Sequence, residues 1–234
     1  MSGRFLTAEW RNLAMLNYPV DPGVLEPRVP AGCELDAWNG TTFLSVVGFR
    51  FLDTRVLGVP IPFHRDFDEV NLRFYVRRKV EGEWRRGVVF VKELVPRWAI
   101  AFVARTVYNE RYVSLPMRHR EGPGSLAYEW CSRGAWEGLG VEFEGEATVP
   151  ADDAEETFIS EHYWGYAAQK DGGCVEYQVE HPRWAVWRAR TAELECDVRS
   201  LYGAEFAEPL SAAPTTAFVA DGSPVVVRRG RRIV

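Results

Sequence analysis

The stretch DEVNLRFYVRR, residues 68–78, decides how the chain is read. Val70, Leu72, Phe74 and Val76 fall on one face of an extended strand, and Glu69, Asn71, Arg73 and Tyr75 fall on the other. Two architectures produce that alternation. In one, the strand is half-buried and its polar face meets water. In the other, it is a stave of a barrel whose polar face points inward and forms part of a binding site.

The surrounding chain favours strands. Segments 10–18, 87–94, 111–117, 125–132, 141–148, 174–180, 184–196, 216–220 and 224–228 carry strand signals. Leu35–Ala37 and Phe43–Phe51 flank Trp38-Asn39-Gly40-Thr41, and Asn-Gly between such runs marks a tight hairpin. Helices are few. Asp21-Pro22 opens residues 22–27 with an N-cap side chain and a proline at the first helical position. Pro96 opens a second helix to about Tyr108, with Trp98, Phe102 and Arg105 on one side, and a third is expected near 198–207. The acidic stretch Ala151–Glu156 is the one seam in a chain without internal repeats. The expectation is a single α+β, β-rich domain over residues 1–234: a closed antiparallel β-barrel with a few short peripheral helices.

Composition excludes several function classes. The chain is 47% hydrophobic and 13% aromatic, as a folded globular protein requires. No apolar run approaches the roughly 18 residues of a membrane span. The segment MSGRFLTAEWRNL lacks the basic, apolar, small-residue order of a signal peptide, so a cytoplasmic location is expected. Net charge is −5 with no basic block, which leaves nucleic-acid binding without a footprint; RRGRR at 228–232 is too short to supply one and is expected to be a solvated end. Cys33, Cys131, Cys174 and Cys196 are scattered, as reduced thiols would be, and no two of His64, His119, His162 and His181 have metal-ligand spacing. Phosphate-loop, dinucleotide, zinc-protease and hydrolase motifs are absent, and no cofactor is expected.

The order of short motifs is more informative. Ala8-Glu9-Trp10-Arg11-Asn12-Leu13 leads into Tyr18-Pro19-Val20-Asp21-Pro22, then Leu25-Glu26-Pro27-Arg28-Val29-Pro30-Ala31-Gly32 and Glu34-Leu35-Asp36. Asn71-Leu72-Arg73-Phe74-Tyr75-Val76 follows, and later Phe158-Ile159-Ser160-Glu161-His162-Tyr163, His181-Pro182-Arg183-Trp184 and Ala220-Asp221-Gly222-Ser223-Pro224-Val225. In that order they resemble the YqjF-like family of uncharacterised bacterial proteins over residues 4 to 230. That family is similar in turn to acetoacetate decarboxylase. The resemblance implies an acetoacetate decarboxylase-like closed antiparallel β-barrel with an active cavity inside. Those decarboxylases form a Schiff base through one of two adjacent lysines, shortly after an Arg-Glu-Leu segment. Here Lys92-Glu93-Leu94 matches that segment, and counting onward places Ala99 and Ile100 where the lysine pair belongs. Of the 28 basic residues only three are lysines, Lys79, Lys92 and Lys170. Lys92 has apolar neighbours and is read chiefly as half of a structural ion pair; the other two are expected in solvated turns.

Functional weight therefore moves to other polar groups. Arg11 matches the arginine that helps the decarboxylases hold an acidic substrate, and a guanidinium grips a carboxylate through two parallel hydrogen bonds; the alternative is an arginine satisfied within the protein. Asn71 and Arg73 are expected to line the same cavity, with Glu69 and Tyr75 less prominent. Glu161 and His181 are the candidate proton carriers, although His181, before Pro182, reads equally as a turn residue. Two functions fit: an enzyme that acts on a small organic acid by acid/base chemistry without an imine, and a non-catalytic protein that binds a small anionic metabolite. In both the partner is a small anionic organic molecule, with no nucleic acid and no membrane; abundant aromatics make a homodimer a reasonable expectation.

Overall fold

A computed structural model describes residues 3–60, 64–96 and 112–234 of the 234-residue chain. Its strands are β1 (Arg4–Val20), β2 (Glu34–Leu35), β3 (Thr42–Val56), β4 (Val59–Pro60), β5 (Phe67–Val80), β6 (Glu83–Val95), β7 (Tyr112–Ser114), β8 (Met117–Gly122), β9 (Ser125–Ser132), β10 (Ala135–Phe143), β11 (Trp164–Ala168), β12 (Cys174–Glu180), β13 (Val186–Glu195), β14 (Thr216–Arg228) and β15 (Arg231–Arg232). Short helices α1 (Pro22–Leu25), α2 (Glu155–Ser160) and α3 (Val198–Leu201) lie between them. The helix expected from Pro96 to about Tyr108 falls almost wholly outside the described residues, as do Ala99 and Ile100.

Seven strands pair in the order β12-β11-β6-β5-β3-β1-β14, and β14 returns to β12, so the sheet closes on itself. The ring is antiparallel except where β11 runs parallel to β6 through Trp164–Gly87 and Gly165–Val88. Its closure rests on two further rungs, Val179–Val227 and Glu180–Val226. β14 also pairs with β13, which begins an outer sheet in the order β13-β10-β9-β8. That sheet packs over the ring: Tyr128 of β9 lies against Gly48 of β3, where a Cβ would stand 2.5 Å from the Tyr128 ring.

β5 occupies the middle of this arrangement and is buried on both faces. Val70, Leu72, Phe74 and Val76 join Leu16, Leu44, Tyr128, Trp130 and Leu139 in the core between ring and outer sheet. Truncating one of these to alanine should cost about 2–5 kcal/mol. The opposite face turns inside the ring, where Val47, Phe49, Phe51, Phe67, Val88 and Trp184 form a second apolar cluster. Period two therefore separates two compartments rather than core from water.

Several local expectations are met and others corrected. Asp21 caps α1 by accepting from the Gly23 N–H at 2.7 Å, and Asn39 and Gly40 both take positive φ in a Trp38–Thr41 turn, but the flanking runs do not form the expected hairpin: β2 pairs with β5, and β3 pairs with β1 and β5. Residues 216–220 and 224–228 form one strand bent at Gly222 (φ +92), where a side chain would collide with the Trp10 carbonyl oxygen at 2.0 Å. The Ala151–Glu156 seam instead leads into α2, whose Glu156 is buried and accepts from Arg188 at 2.6 Å. Phe158 and Ile159 belong to this helix. The C-terminal arginines are anchored rather than simply solvated: Arg231 donates to Glu176, whose side chain is fully buried and also accepts from Arg78 and Arg85.

Candidate functional site

Inside the ring lies a cavity of about 240 Å³. Aromatic rings make much of its wall. Trp10 meets Phe49 and Phe51 edge-on at centroid distances of 5.2 and 5.7 Å, Phe51 stacks on Phe67 at 4.6 Å, and Trp184 also lines the space. The acidic and guanidinium side chains come from β5 and β6. Glu69, Asn71 and Arg73 line the cavity from alternate positions of β5, and Glu93 joins them from β6.

A β-bulge brings Glu93 there. In the β5–β6 ladder Leu72 faces Lys92 but Arg73 faces Phe90, so Val91 is an extra residue. Val88 and Phe90 line the cavity in phase; after the bulge the phase reverses, so Glu93 faces in. Lys92 then points to the opposite compartment and donates to the Leu201 carbonyl. Without the bulge, Lys92 would have faced the cavity. Lys79 packs against Trp84 and Lys170 sits exposed in a turn, so none of the three lysines is among the cavity-lining residues.

Glu69 is 2% exposed. Its carboxylate accepts from Asn71 Nδ2 at 3.1 Å and from the Tyr112 hydroxyl at 3.3 Å. Burial outweighs these bonds and the nearby Arg73 charge and raises its pKa to about 7. Arg73 donates one amino group to the Ile159 carbonyl at 3.3 Å, while its Nε is buried without a partner among the described residues. Trp10 Nε1, Thr54 Oγ1, Asn71 Oδ1 and His162 Nδ1, all on cavity-lining residues, are likewise buried without partners among the described residues. Buried polar atoms left unsatisfied are uncommon in native proteins, and among the described residues most of them, all but those of Tyr18 and Tyr202, belong to residues around this one space.

His162 follows the C-terminus of α2 and completes another part of the wall. Its Nε2 lies 3.2 Å from Asp36 Oδ2, which also accepts from Arg86 Nε at 2.7 Å. Burial lowers the His162 pKa to about 4, and the Asp36 hydrogen bond only partly opposes it. For Asp36, burial raises the pKa but bonds from His162 and Arg86 bring it down to about 2.

The structure gathers Asn71, Arg73 and His181 on this cavity and leaves Arg11 and Glu161 outside its lining. Arg11 is turned away because its neighbour Trp10 faces in, and adjacent strand residues face oppositely. The chain then takes a positive φ at Asn12 with a register shift before Ala14, and Leu13 returns to the cavity. Arg11 pairs instead with Glu9 at 2.6 Å and Asp221 at 2.9 Å. Glu161 is the residue after α2, where its carboxylate accepts from Tyr163 and, at 3.4 Å, from Ser160. His181 stacks on Trp184 at 4.1 Å, Nδ1 lies 2.9 Å from the Pro182 carbonyl, and burial lowers its pKa. The sequence reading underweighted Glu69 and missed Glu93 and His162; the alternation signal contained Glu69, but the bulge concealed Glu93. Among the described residues there is no cluster of three metal-ligating side chains and no helix long and apolar enough to cross a membrane.

A closed ring covered by an outer sheet, with a cavity inside, places the chain in the acetoacetate decarboxylase-like fold class. It resembles acetoacetate decarboxylase from Legionella pneumophila (12% identity, TM-score 0.68, covering 100% of this chain and 88% of that one). It also resembles an acetoacetate decarboxylase-like enzyme from Sphingomonas wittichii RW1 (12%, 0.69, 99% and 94%) and the enduracididine biosynthesis enzyme MppR (14%, 0.68, 99% and 91%). What is shared at these identities is the fold. Within that class the chain belongs to the DUF2071 family, described as an uncharacterized conserved protein, which matches residues 7–224. It is 26% identical over 201 residues to the uncharacterized protein YqjF of Bacillus subtilis strain 168, covering 82% of this chain and 78% of that one.

Proposed function

We propose that the cavity is the active site of an acid/base enzyme acting on a small organic acid with an apolar body. One observation carries this reading: Glu69, a carboxyl group that titrates near neutrality, shares a mostly apolar cavity with the incompletely bonded guanidinium of Arg73. Arg73 holds the carboxylate of the acid, because charge-assisted hydrogen bonds gain strength in a dry site. Glu69 gives or takes the proton, since a group with pKa near 7 is present in both forms at neutral pH. Asn71 orients Glu69 through its amide, and the aromatic wall, with His181 stacked in it, packs on the apolar body. Glu69 takes the role that Glu161 was expected to fill. Imine chemistry has no cavity-facing lysine to support it. A related fold, that of MppR, is known complexed with pyruvate, which accords with a small acid as ligand.

Proton exchange tests this without knowledge of the full reaction. Wild-type protein in deuterated buffer should wash deuterium into the C–H beside the carboxyl group of a small acid that it binds, and Glu69→Gln should bind the acid but leave its protons in place. Binding without exchange would refute the enzyme and make the protein a receptor for the acid. Borohydride with a bound keto acid should leave the protein mass unchanged; an adduct on Lys92 would overturn the imine-free reading.

A further inference from the structure

His162 has a part in the site that the acid/base reading does not use. Asp36 Oδ2 receives Arg86 at 2.7 Å, and Asp36 Oδ1 receives the Ala37 N–H at 3.0 Å. Both neighbours are donors, so Asp36 is an ionised carboxylate and the proton in its 3.2 Å contact with His162 sits on Nε2. The imidazole is 1% exposed and flanked by Phe158 and Tyr75 at centroid distances of 5.0 and 4.7 Å. Its remaining polar position is Nδ1, which in the neutral ring carries a lone pair and has no partner among the described residues. The pKa of about 4 keeps the ring neutral at physiological pH, so Nδ1 acts as an acceptor rather than a proton carrier.

Among the described residues, Asn71 Oδ1 is a second acceptor in the same wall without a partner, and Arg73 Nε is a donor without one. The ligand that completes these groups therefore brings an anion for Arg73 and a hydrogen-bond donor for the two acceptors. A simple carboxylate supplies only the first, and a dicarboxylate brings a second acceptor where a donor is needed. We propose that the site takes a hydroxy acid, whose hydroxyl donates to His162 Nδ1 while its carboxylate meets Arg73. Asp36 is a positioning residue that fixes the imidazole tautomer. This inference rests on the reading of the cavity as a small-acid site.

Matched pairs of acids test it: phenylpropionate against phenyllactate, phenylacetate against mandelate, and butyrate against β-hydroxybutyrate. Binding is followed by calorimetry, and the imidazole by nitrogen NMR of protein labelled at histidine. At least one hydroxy acid should bind about tenfold or more tightly than its deoxy partner, as a recovered buried hydrogen bond requires. It should shift the Nδ1 resonance of His162 and leave Nε2 bonded to Asp36, whereas the deoxy acid should not shift Nδ1. In His162→Phe the two members of that pair should bind alike. The NMR measurement decides the matter even if that variant does not fold. Acids that bind through Arg73 with no hydroxyl preference and no Nδ1 shift would overturn this inference and leave the small-acid reading standing. If no acid binds, both readings fall.

Discussion

Replacing Glu69 by glutamine should make the protein more stable, by an amount set by pH. The carboxyl is 2% exposed, and its pKa rises from 4.5 to about 7 on folding. Below pH 4.5 native and unfolded chains both hold the proton, and the group contributes no pH dependence. Between 4.5 and about 7 the unfolded chain gives it up while the native state keeps it, so native stability falls by about 1.4 kcal/mol per pH unit. Above about 7 the loss levels off at roughly 3 kcal/mol. Glutamine has nearly the same shape and is always neutral; its amide oxygen can accept from Asn71 while its NH2 donates to the Tyr112 hydroxyl oxygen. The gain from Glu69→Gln should therefore be near zero at pH 4.5 and about 3 kcal/mol at pH 8, equivalent to a Tm increase of roughly 6–12 °C for a chain of this size. Urea unfolding of both proteins across that range measures the difference, in which other titrating groups such as His162 cancel. A gain that does not change with pH would show that Glu69 is not a buried carboxyl of raised pKa, and the proton-carrier role would lose its basis.

Two further substitutions follow from the ion pairs. Arg73→Gln should weaken the binding of small carboxylates on the order of 10–100-fold, through loss of charge-assisted hydrogen bonds, whereas Arg11→Ala, which breaks a partly exposed pairing with Glu9 and Asp221, should leave binding unchanged and alter stability by under about 1 kcal/mol. Calorimetric titration of both variants separates these outcomes, and the reverse order would return Arg11 to the site. Glu176→Gln leaves the guanidiniums of Arg78, Arg85 and Arg231 facing one another without the buried carboxylate, which should destabilise the fold by about 3 kcal/mol. An unchanged urea midpoint would mean that solvent screens those arginines already.

Much of the ring could be read from residue order. DEVNLRFYV alternates, and the strand is central; its polar half faces inward because a second sheet covers the apolar half, a tertiary fact that a period of two cannot express. Asp21 and Asn39-Gly40 are local signals with local causes, and the cap and the turn appear where the sequence places them, but the strands on either side of the turn take other partners, which a local signal cannot specify. Arg11 was misplaced because its motif says which strand it occupies and not which way that strand is phased; Trp10 sets the phase. Glu93 was hidden by an extra residue, Val91, that carries no bulge-marking glycine. Glu161 and His162 follow directly on the end of α2, and only His162 reaches the cavity wall. Its partner Asp36 is 126 positions away in the chain. Spacing rules do not reach that far.

The hairpin formed by β11 and β12 gives the ring an uneven resistance to opening. It is joined to β6 by two rungs and to β14 by two, while β1 and β14 pair along nearly their whole lengths. Local opening free energy follows the bonds that must break, so exchange of backbone amides should be fastest along these seams. Trp164, Gly165, Tyr177 and Val179 of the hairpin, together with Val88 and Val227 across the seams, all line the cavity. The segment of the ring that parts most readily is thus also the one that a bound molecule would hold shut, and the rate at which its amides exchange is a label-free gauge of how full the cavity is.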